Sequence, residues 1–273
     1  MNKGIFVSEY QNLSLAWADT FLHLMDRGVS ELTPKIITVK DFNNQDADED
    51  LELRRLLDRH LKNFKHHSCE TVAGTIFPVS LWNPALPNNA QSLFERYDKI
   101  WPRIQKADHE NKLGVYFRRM IAYDPKESSS EPINQLKHII ETYNGESDRK
   151  GTHRRSALQA AIFDPRRDHS KSRMQGFPCL QQVGFAKIGD DGLAVTAFYP
   201  MQYIFERAYG NYLGLCRLGK FMAAQMGLRM VQMTCVAGVA QLGSNKDKHK
   251  KISKTDLRPL ENDVRALIER GIK

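Results

Sequence analysis

Cysteine is scarce in this sequence, and none of its cysteines are closely paired. Four cysteines are scattered over 273 residues, and no two of them form a Cys-x-x-Cys pair. A zinc knuckle or a disulfide framework needs cysteines at short, regular spacings, so this pattern argues against both. We therefore expect free thiols.

Long apolar runs and the common ligand-loop motifs are also absent. No apolar stretch approaches the ~20 residues of a membrane-spanning helix, and the N-terminus lacks the apolar core of a secretory signal. There is no Gly-x-x-x-x-Gly-Lys-Ser/Thr loop, no Gly-x-Gly-x-x-Gly turn, no His-Glu-x-x-His helix and no aromatic RNA-binding signature. These absences argue against the common ATP, dinucleotide and zinc-hydrolase classes. They predict a cytoplasmic protein that has no membrane partner.

The composition is that of an ordinary globular protein with a basic charge balance. Hydrophobic residues make up 41% and charged residues 26%, and no Gly/Ser or Pro tract divides the chain, so we expect one domain over residues 1–273. The net charge of +8 favours anionic partners, although part of the excess lies in a basic loop near residues 244–254. Charge alone names no ligand, and nucleic-acid binding has no other support.

Apolar periodicity predicts an α/β (α+β) protein with a large mixed, mainly antiparallel sheet packed by helices. Helices are predicted near residues 13–25, 51–61, 92–106, 133–143, 212–226 and 256–269, and strands near residues 36–39, 75–79, 154–163, 179–188, 192–200 and 230–242. Residues 189–192 form a hairpin signal between two of the strands. Pro102 is expected to kink or split its helix.

Three segments carry residues that suit chemistry. Cys179 follows a proline at the start of a predicted strand, Asn211 stands about thirty residues later before an apolar helix, and Arg154 with Arg155 opens another predicted strand. Each has a plainer interpretation. The cysteine can be a small core residue, the asparagine a helix N-cap and the arginines a solvated strand edge. These alternatives stay open.

In order and spacing, these segments resemble thymidylate synthase and the related pyrimidine hydroxymethylases. Trp101 and Tyr116 extend the resemblance upstream, so that it covers roughly residues 95–243 and leaves an atypical N-terminal region over residues 1–90. The resemblance implies a thymidylate synthase-like fold and a homodimer. It also implies a pyrimidine nucleotide as partner and methylenetetrahydrofolate as the one-carbon donor.

The resemblance implies a role for each matching residue near the nucleotide. Cys179 would be the nucleophile that adds to C6 of the pyrimidine, which requires a thiolate. Asn211 would read the edge of the base, where its carboxamide favours uracil over cytosine. Arg154 and Arg155 would hold the phosphate in the site of the neighbouring subunit, because guanidinium groups bind phosphate in a bidentate manner.

Further roles are implied for residues at the edge of the site. Gln241 would accept a hydrogen bond from the ribose, and Trp101 with Tyr116 would line the folate site. Arg207 would replace an arginine that the family uses to support the thiolate, although it can equally be an exposed surface arginine.

Several partners of the family are missing. Pro200 stands where the family has that arginine, Tyr203 where it has an aspartate, Leu180 where it has a histidine and Gly243 where it has a tyrosine. Two functions therefore stay open. One is a divergent enzyme that transfers a one-carbon unit to C5, by methylation or hydroxymethylation. The other is a non-catalytic nucleotide-binding or structural homologue, with a larger assembly as one setting.

Overall fold

The structure is a computed structural model that describes residues 6–40, 42, 49–108, 111, 114–123, 131–145, 153–169, 171, 178–245 and 250–271. The helices are α1 (Leu13–Met25), α2 (Leu51–Asn63), α3 (Cys69–Ile76), α4 (Asn89–Ala107), α5 (Tyr116–Ile121), α6 (Gln135–Asn144), α7 (Pro165–Asp168), α8 (Tyr209–Gln225) and α9 (Lys254–Glu269). The strands are β1 (Phe6–Tyr10), β2 (Lys35–Lys40), β3 (Gln159–Ala161), β4 (Gln182–Ile188), β5 (Gly192–Tyr203), β6 (Arg229–Gln241), β7 (Ser244–Asn245) and β8 (Lys250–Lys251).

Six strands form one sheet in the order β1-β2-β6-β5-β4-β3. β1 with β2 and β5 with β6 are parallel, and the other three pairs are antiparallel. The mixed, mainly antiparallel sheet packed by helices is therefore confirmed. β4 and β5 form the predicted hairpin, with Gly189 at a φ of 59° in the turn.

Local capping explains where several helices begin and end. The Asn12 side chain accepts hydrogen bonds from the backbone N–H groups of Ser14 and Leu15, which starts α1. Gly145 closes α6 at a φ of 75°, a left-handed conformation that glycine adopts without steric cost. The Ser253 and Asp256 side chains form a capping box at the start of α9.

Three local predictions were wrong or too broad. Residues 75–79 do not form a strand, because α3 runs to Ile76 and a 3₁₀ turn follows at Val79–Leu81. Of the kink or split predicted at Pro102, the split is wrong, because α4 continues through Pro102 to Ala107. Only residues 159–161 of the strand predicted at 154–163 pair with β4.

The basic loop predicted near residues 244–254 lies partly outside the described residues. β7 and β8 pair with each other, and residues 246–249 between them are not described. Across the described ranges, no helix is both long enough and apolar enough to cross a membrane.

α8 is the central helix, and it packs against both the sheet and α3. Glycines make these close contacts possible. A Cβ at Gly210 would come 2.6 Å from Val72 Cβ, and one at Gly219 would come 2.5 Å from Met230 Sδ. The backbone of α8 therefore approaches its neighbours more closely than a side chain would allow.

One face of the sheet carries the helices, and the other is open among the described residues. The pairing register aligns Val7, Ile36, Val236 and Phe198 in one row across four strands. Directly paired residues point to the same side of a sheet. Val7 and Phe198 are 64% and 44% exposed, so an apolar row crosses the open face.

Candidate functional site

The site is built around an irregular turn between β5 and α8. Ile204–Ala208 forms a single π-helical turn that continues directly into α8. Such turns are rare and recur at functional sites. Trp17 Nε1 donates to the Ile204 carbonyl oxygen at 2.7 Å, and the Phe205 amide donates to the Leu242 carbonyl oxygen at 3.0 Å. These bonds hold the turn in a fixed position.

Cys179 lies just before β4, facing this turn. The residue is exposed, although the protein around its sulfur removes enough water to raise the pKa of the thiol. The Arg207 charge opposes this rise in pKa, and the Glu206 charge adds to it. Desolvation has the largest effect, so the thiol is less acidic than a free cysteine.

Tyr116 stands beside Cys179 at the start of α5. Burial raises the pKa of its hydroxyl, Cys179 adds to that rise and Arg207 opposes it. The backbone N–H groups of Leu180 and Cys179 direct hydrogen bonds to the same hydroxyl. The structure thus brings together three of the residues predicted from sequence, namely Cys179, Tyr116 and Arg207.

A buried acid beside Arg207 was not predicted from the sequence. Glu206 is 4% exposed, and its Oε1 accepts hydrogen bonds from the Ser244 backbone N–H at 2.8 Å and the Ser244 hydroxyl at 3.1 Å. His66 Nδ1 lies 3.4 Å from Glu206 Oε2, and His66 Nε2 donates to the Ser244 carbonyl oxygen at 3.0 Å. The carboxylate joins the π turn to segments that are distant in sequence.

The Glu206 carboxylate explains why this chain has Gly243 at the position where the resembled family has a tyrosine. Gly243 adopts a φ of 135°, and a Cβ there would come 2.7 Å from Glu206 Oε1. Side chains rarely adopt that conformation. Gly243 therefore makes room for the Glu206 carboxylate. This contact is what marks Glu206 as part of the site, and it is visible only in the folded chain.

Asn211 lies in the first turn of α8, four residues after Arg207. It is not the N-cap, because the π turn runs into α8 without a break and no side chain caps the helix there. Asn211 is 4% exposed, and its carboxamide has no hydrogen-bond partner within the described part of the chain. The Asn211 carboxamide is not one of the fully buried polar groups without a partner, so it keeps some contact with solvent and is open to a ligand.

Arg155 is held at the end of β4 that lies away from Cys179. Arg154 and Arg155 are both exposed, and Arg155 Nη2 donates to the Lys187 carbonyl oxygen at 2.9 Å near the far end of β4. Lys187 is five residue steps along the strand from Gln182 at the near end, a distance of about 17 Å at ~3.3 Å per residue. A shared site that uses these arginines needs a second chain.

The remaining predicted residues are engaged elsewhere. Gln241 Nε2 donates to Glu31 Oε2 at 2.9 Å. The Trp101 ring stacks on Tyr97 with centroids 6.2 Å apart, and the Arg118 guanidinium lies 5.4 Å from its centroid. Trp101 therefore contacts neighbouring side chains of the α4–α5 region.

No family model matches the sequence. A protein of Methanothermobacter thermautotrophicus described as "Putative thymidylate synthase" is 25% identical to this chain over 155 residues. The match covers 57% of this chain and 62% of that protein, so the chain spans about three fifths of the length of this relative. The similarity supports a thymidylate synthase-like relationship and nothing finer.

Proposed function

We propose that this protein binds a pyrimidine nucleotide beside Cys179 and transfers a one-carbon unit to C5 of the base. The observation that carries the proposal is the Asn211 carboxamide, which caps no helix and lies one turn of chain from Arg207, in a site that also holds Cys179 and Tyr116. A uracil edge offers N3–H and O4, which match the acceptor and the donor of a carboxamide.

The chemistry assigned to this chain is nucleophilic. The Cys179 thiolate forms a bond from sulfur to C6, and the electron pair of the C5–C6 double bond moves toward C5 and O4. Asn211 donates to O4 and so stabilises the charge that gathers there. Arg207 supports the thiolate, since its charge lowers the pKa of the thiol.

The one-carbon donor in this proposal is methylenetetrahydrofolate, which supplies the carbon when bound. The half-buried aromatic surface of Tyr116 beside Cys179 suits a flat ring, so Tyr116 would hold the donor on that side. Trp101 would contact the donor only at the edge of the folate site, because its ring already stacks on Tyr97 and lies under the Arg118 guanidinium.

A second candidate function is a non-catalytic nucleotide-binding homologue. The raised pKa of the Cys179 thiol favours it, because a nucleophile needs the thiolate form. Pro200, which carries no charge, points in the same direction. In that case Asn211 binds the base and Cys179 forms no bond with it.

We also propose a homodimer in which Arg154 and Arg155 complete the site of the opposite chain. The bond of Arg155 to Lys187, at the end of β4 away from Cys179, supports the proposal, and so does the apolar row on the open face of the sheet. Exposed apolar side chains on a sheet face are removed from water when another surface covers them, which favours association of two chains.

Arg155→Ala tests the shared phosphate site. We expect dUMP binding to weaken by about 1.5–3 kcal/mol, the range for hydrogen bonds to charged groups, and deoxyuridine binding to change much less. Titration calorimetry on both ligands measures this, and Arg103→Ala, an exposed arginine on α4, is the control. Equal weakening for nucleotide and nucleoside would contradict the phosphate role.

A further inference from the structure

Residues 178–181 form a bend around Cys179, just before β4. The Gln181 side chain closes this bend, because its Nε2 donates to the Pro178 carbonyl oxygen at 2.6 Å. In an ordinary four-residue turn, the backbone N–H of the fourth residue makes this bond to the carbonyl oxygen of the first. Here a side-chain amide makes it, so closure of the bend depends on which residue stands at position 181.

The backbone of Gln181 is engaged with two other segments. Its N–H donates to the Phe198 carbonyl oxygen at 2.9 Å, and its carbonyl oxygen accepts hydrogen bonds from the N–H groups of Ile162 and Phe163 at 2.9 and 3.2 Å. Gln181 is therefore tied to β5 on one side and to the segment after β3 on the other. Because its N–H is bonded to β5, the side-chain amide is the group that closes the bend.

A buried ion pair fixes the segment that binds the Gln181 backbone. Arg119 and Asp168 are 4% and 3% exposed, and the two guanidinium nitrogens donate to the two carboxylate oxygens at 2.6 and 2.8 Å. Arg119 Nη1 also donates to the Ile162 carbonyl oxygen at 3.0 Å. A bidentate pair of this kind fixes the geometry of both groups. Gln181 is thus attached to a firmly held part of the fold, from which its side chain can hold Pro178.

Cys179 lies between the two ends of the bond that closes the bend. Its neighbour Leu180 is fully buried, whereas Cys179 itself is exposed. The buried neighbour and the closed bend together fix the backbone that carries the thiol, at a place that a ligand can reach. A reacting group has to be held within about 0.5 Å of its productive position.

We propose that Gln181 is a positioning residue of the site, whose side chain closes the bend and so sets the position of the Cys179 sulfur relative to C6 of a bound pyrimidine. This inference rests on the nucleophilic role of Cys179 in the proposed function. Gln181 acts through the backbone of the bend and not on the base.

The next residue of the chain offers a matched control. Gln182 is exposed in β4, and its Nε2 donates to the Gln159 side chain. Methionine has nearly the length of glutamine and no amide. Gln181→Met and Gln182→Met therefore each remove one side-chain hydrogen bond from adjacent positions and leave the backbone bonds in place, but only the first opens the bend.

Exchange of the C5 hydrogen of dUMP in D2O, read by mass spectrometry, measures the covalent step. When the thiolate bonds to C6, the electron pair of the double bond allows C5 to take a deuteron from the solvent. Loss of the original C5 proton to solvent and of the thiolate from C6 then restores the double bond. In Gln181→Met we expect about tenfold slower exchange, because the sulfur is no longer held in place. The affinity for dUMP, measured by calorimetry, should stay within about twofold of wild type, since the base is bound by other residues.

Iodoacetamide alkylation of Cys179 tests the bend without any nucleotide. Desolvation raises the pKa of the Cys179 thiol, and an open bend lets water return, so the pKa should fall toward its ordinary value in Gln181→Met. We expect about threefold faster alkylation near pH 8 by peptide mapping of the full chain. Gln182→Met should keep the wild-type rate, and the two variants should have similar thermal midpoints.

A second variant covers the case in which Gln181→Met does not fold. Gln181→Asn keeps the amide but is too short to reach Pro178, so it should show both changes. Wild-type rates of exchange and alkylation in a folded Gln181 variant would overturn the inference, as would the same changes in Gln182→Met or a dUMP affinity that falls as far as the exchange rate. Absence of C5 exchange in wild type, with the difference in alkylation intact, would overturn the proposed function alone.

Discussion

Two asparagines with the same exposure have opposite roles in this molecule. Asn12 and Asn211 are each 4% exposed. The Asn12 side chain accepts two backbone hydrogen bonds at the start of α1, whereas the Asn211 carboxamide has no partner among the described residues. One side chain contributes to stability. The other makes no such contribution, and we propose that it binds the base.

Replacing each asparagine with alanine should separate these roles. Asn12→Ala should lower the free energy of unfolding by about 0.5–2 kcal/mol, the range for loss of an N-cap, and leave dUMP binding unchanged. Asn211→Ala should leave stability within about 0.5 kcal/mol and weaken dUMP binding by roughly 1–3 kcal/mol. Urea unfolding and calorimetry measure both. If Asn211→Ala destabilised the fold as Asn12→Ala does, a structural role for Asn211 would be the better explanation.

The residues of the site could be predicted only where a short motif carries them. Cys179, Tyr116 and Arg207 were expected, and the structure brings them together. Glu206 and His66 were missed, because their contact joins segments about 140 residues apart. No local spacing reveals such a pair. The conformation of Gly243, which fits against Glu206, depends on the folded chain as well.

At the scale of elements, the position of the π turn depends on how α8 packs against α3. Gly210 and Gly214 let the two helices meet at backbone distance, with Gly210 against Val72 and Gly214 against Ala73 and Ile76. Because α8 continues from the π turn, a shift of α8 also moves Glu206 and Arg207.

Gly210→Ala should disturb this contact. Its Cβ would meet Val72 and the Cys69 carbonyl oxygen at 2.6 to 2.7 Å, so we expect a loss of about 1–3 kcal/mol of stability, as in other overpacked cores. Gly74→Ala in α3 is the control, because nothing lies within 4 Å of its Cβ. This change should raise stability by up to ~1 kcal/mol through helix propensity. Thermal unfolding compares the two, and equal effects would contradict the packing argument.

The predicted elements were mostly right, and the errors have a physical cause. The hairpin of β4 and β5, the buried helix α8 and the long strand β6 follow from turn residues and apolar patterns, which are local. Residues 75–79 contain β-branched side chains, which favour a strand. Packing of α3 on α8 overrides that preference. β1 was not predicted, since it is defined by its pairing with β2.

At the scale of the whole molecule, the open face of the sheet is the surface that a second chain would cover. Phe198 lies in the apolar row that crosses this face, whereas Leu51 lies at the start of α2, outside the sheet. They are 44% and 50% exposed, which makes them a matched pair for substitution.

Phe198→Glu should weaken self-association by on the order of 2 kcal/mol, the typical cost at a central interface residue. Leu51→Glu should leave it unchanged. Sedimentation velocity over a range of concentrations measures the monomer–dimer equilibrium for both variants. If wild type stayed monomeric at every concentration and still bound dUMP at full strength, neither the dimer nor the shared site would hold.

The most direct measurement is the protection of Cys179 from iodoacetamide by dUMP, read by peptide mapping of the native protein. Cys69, Cys216 and Cys235 are buried, so Cys179 is the cysteine that reagent and nucleotide can both reach. Because the pKa of the Cys179 thiol is raised, alkylation should be slow near pH 7 and faster as the pH rises. We predict selective labelling of Cys179 that dUMP suppresses in wild type and not in Asn211→Ala. Labelling of Cys179 that is unaffected by dUMP in wild type would contradict a pyrimidine nucleotide site at this cysteine.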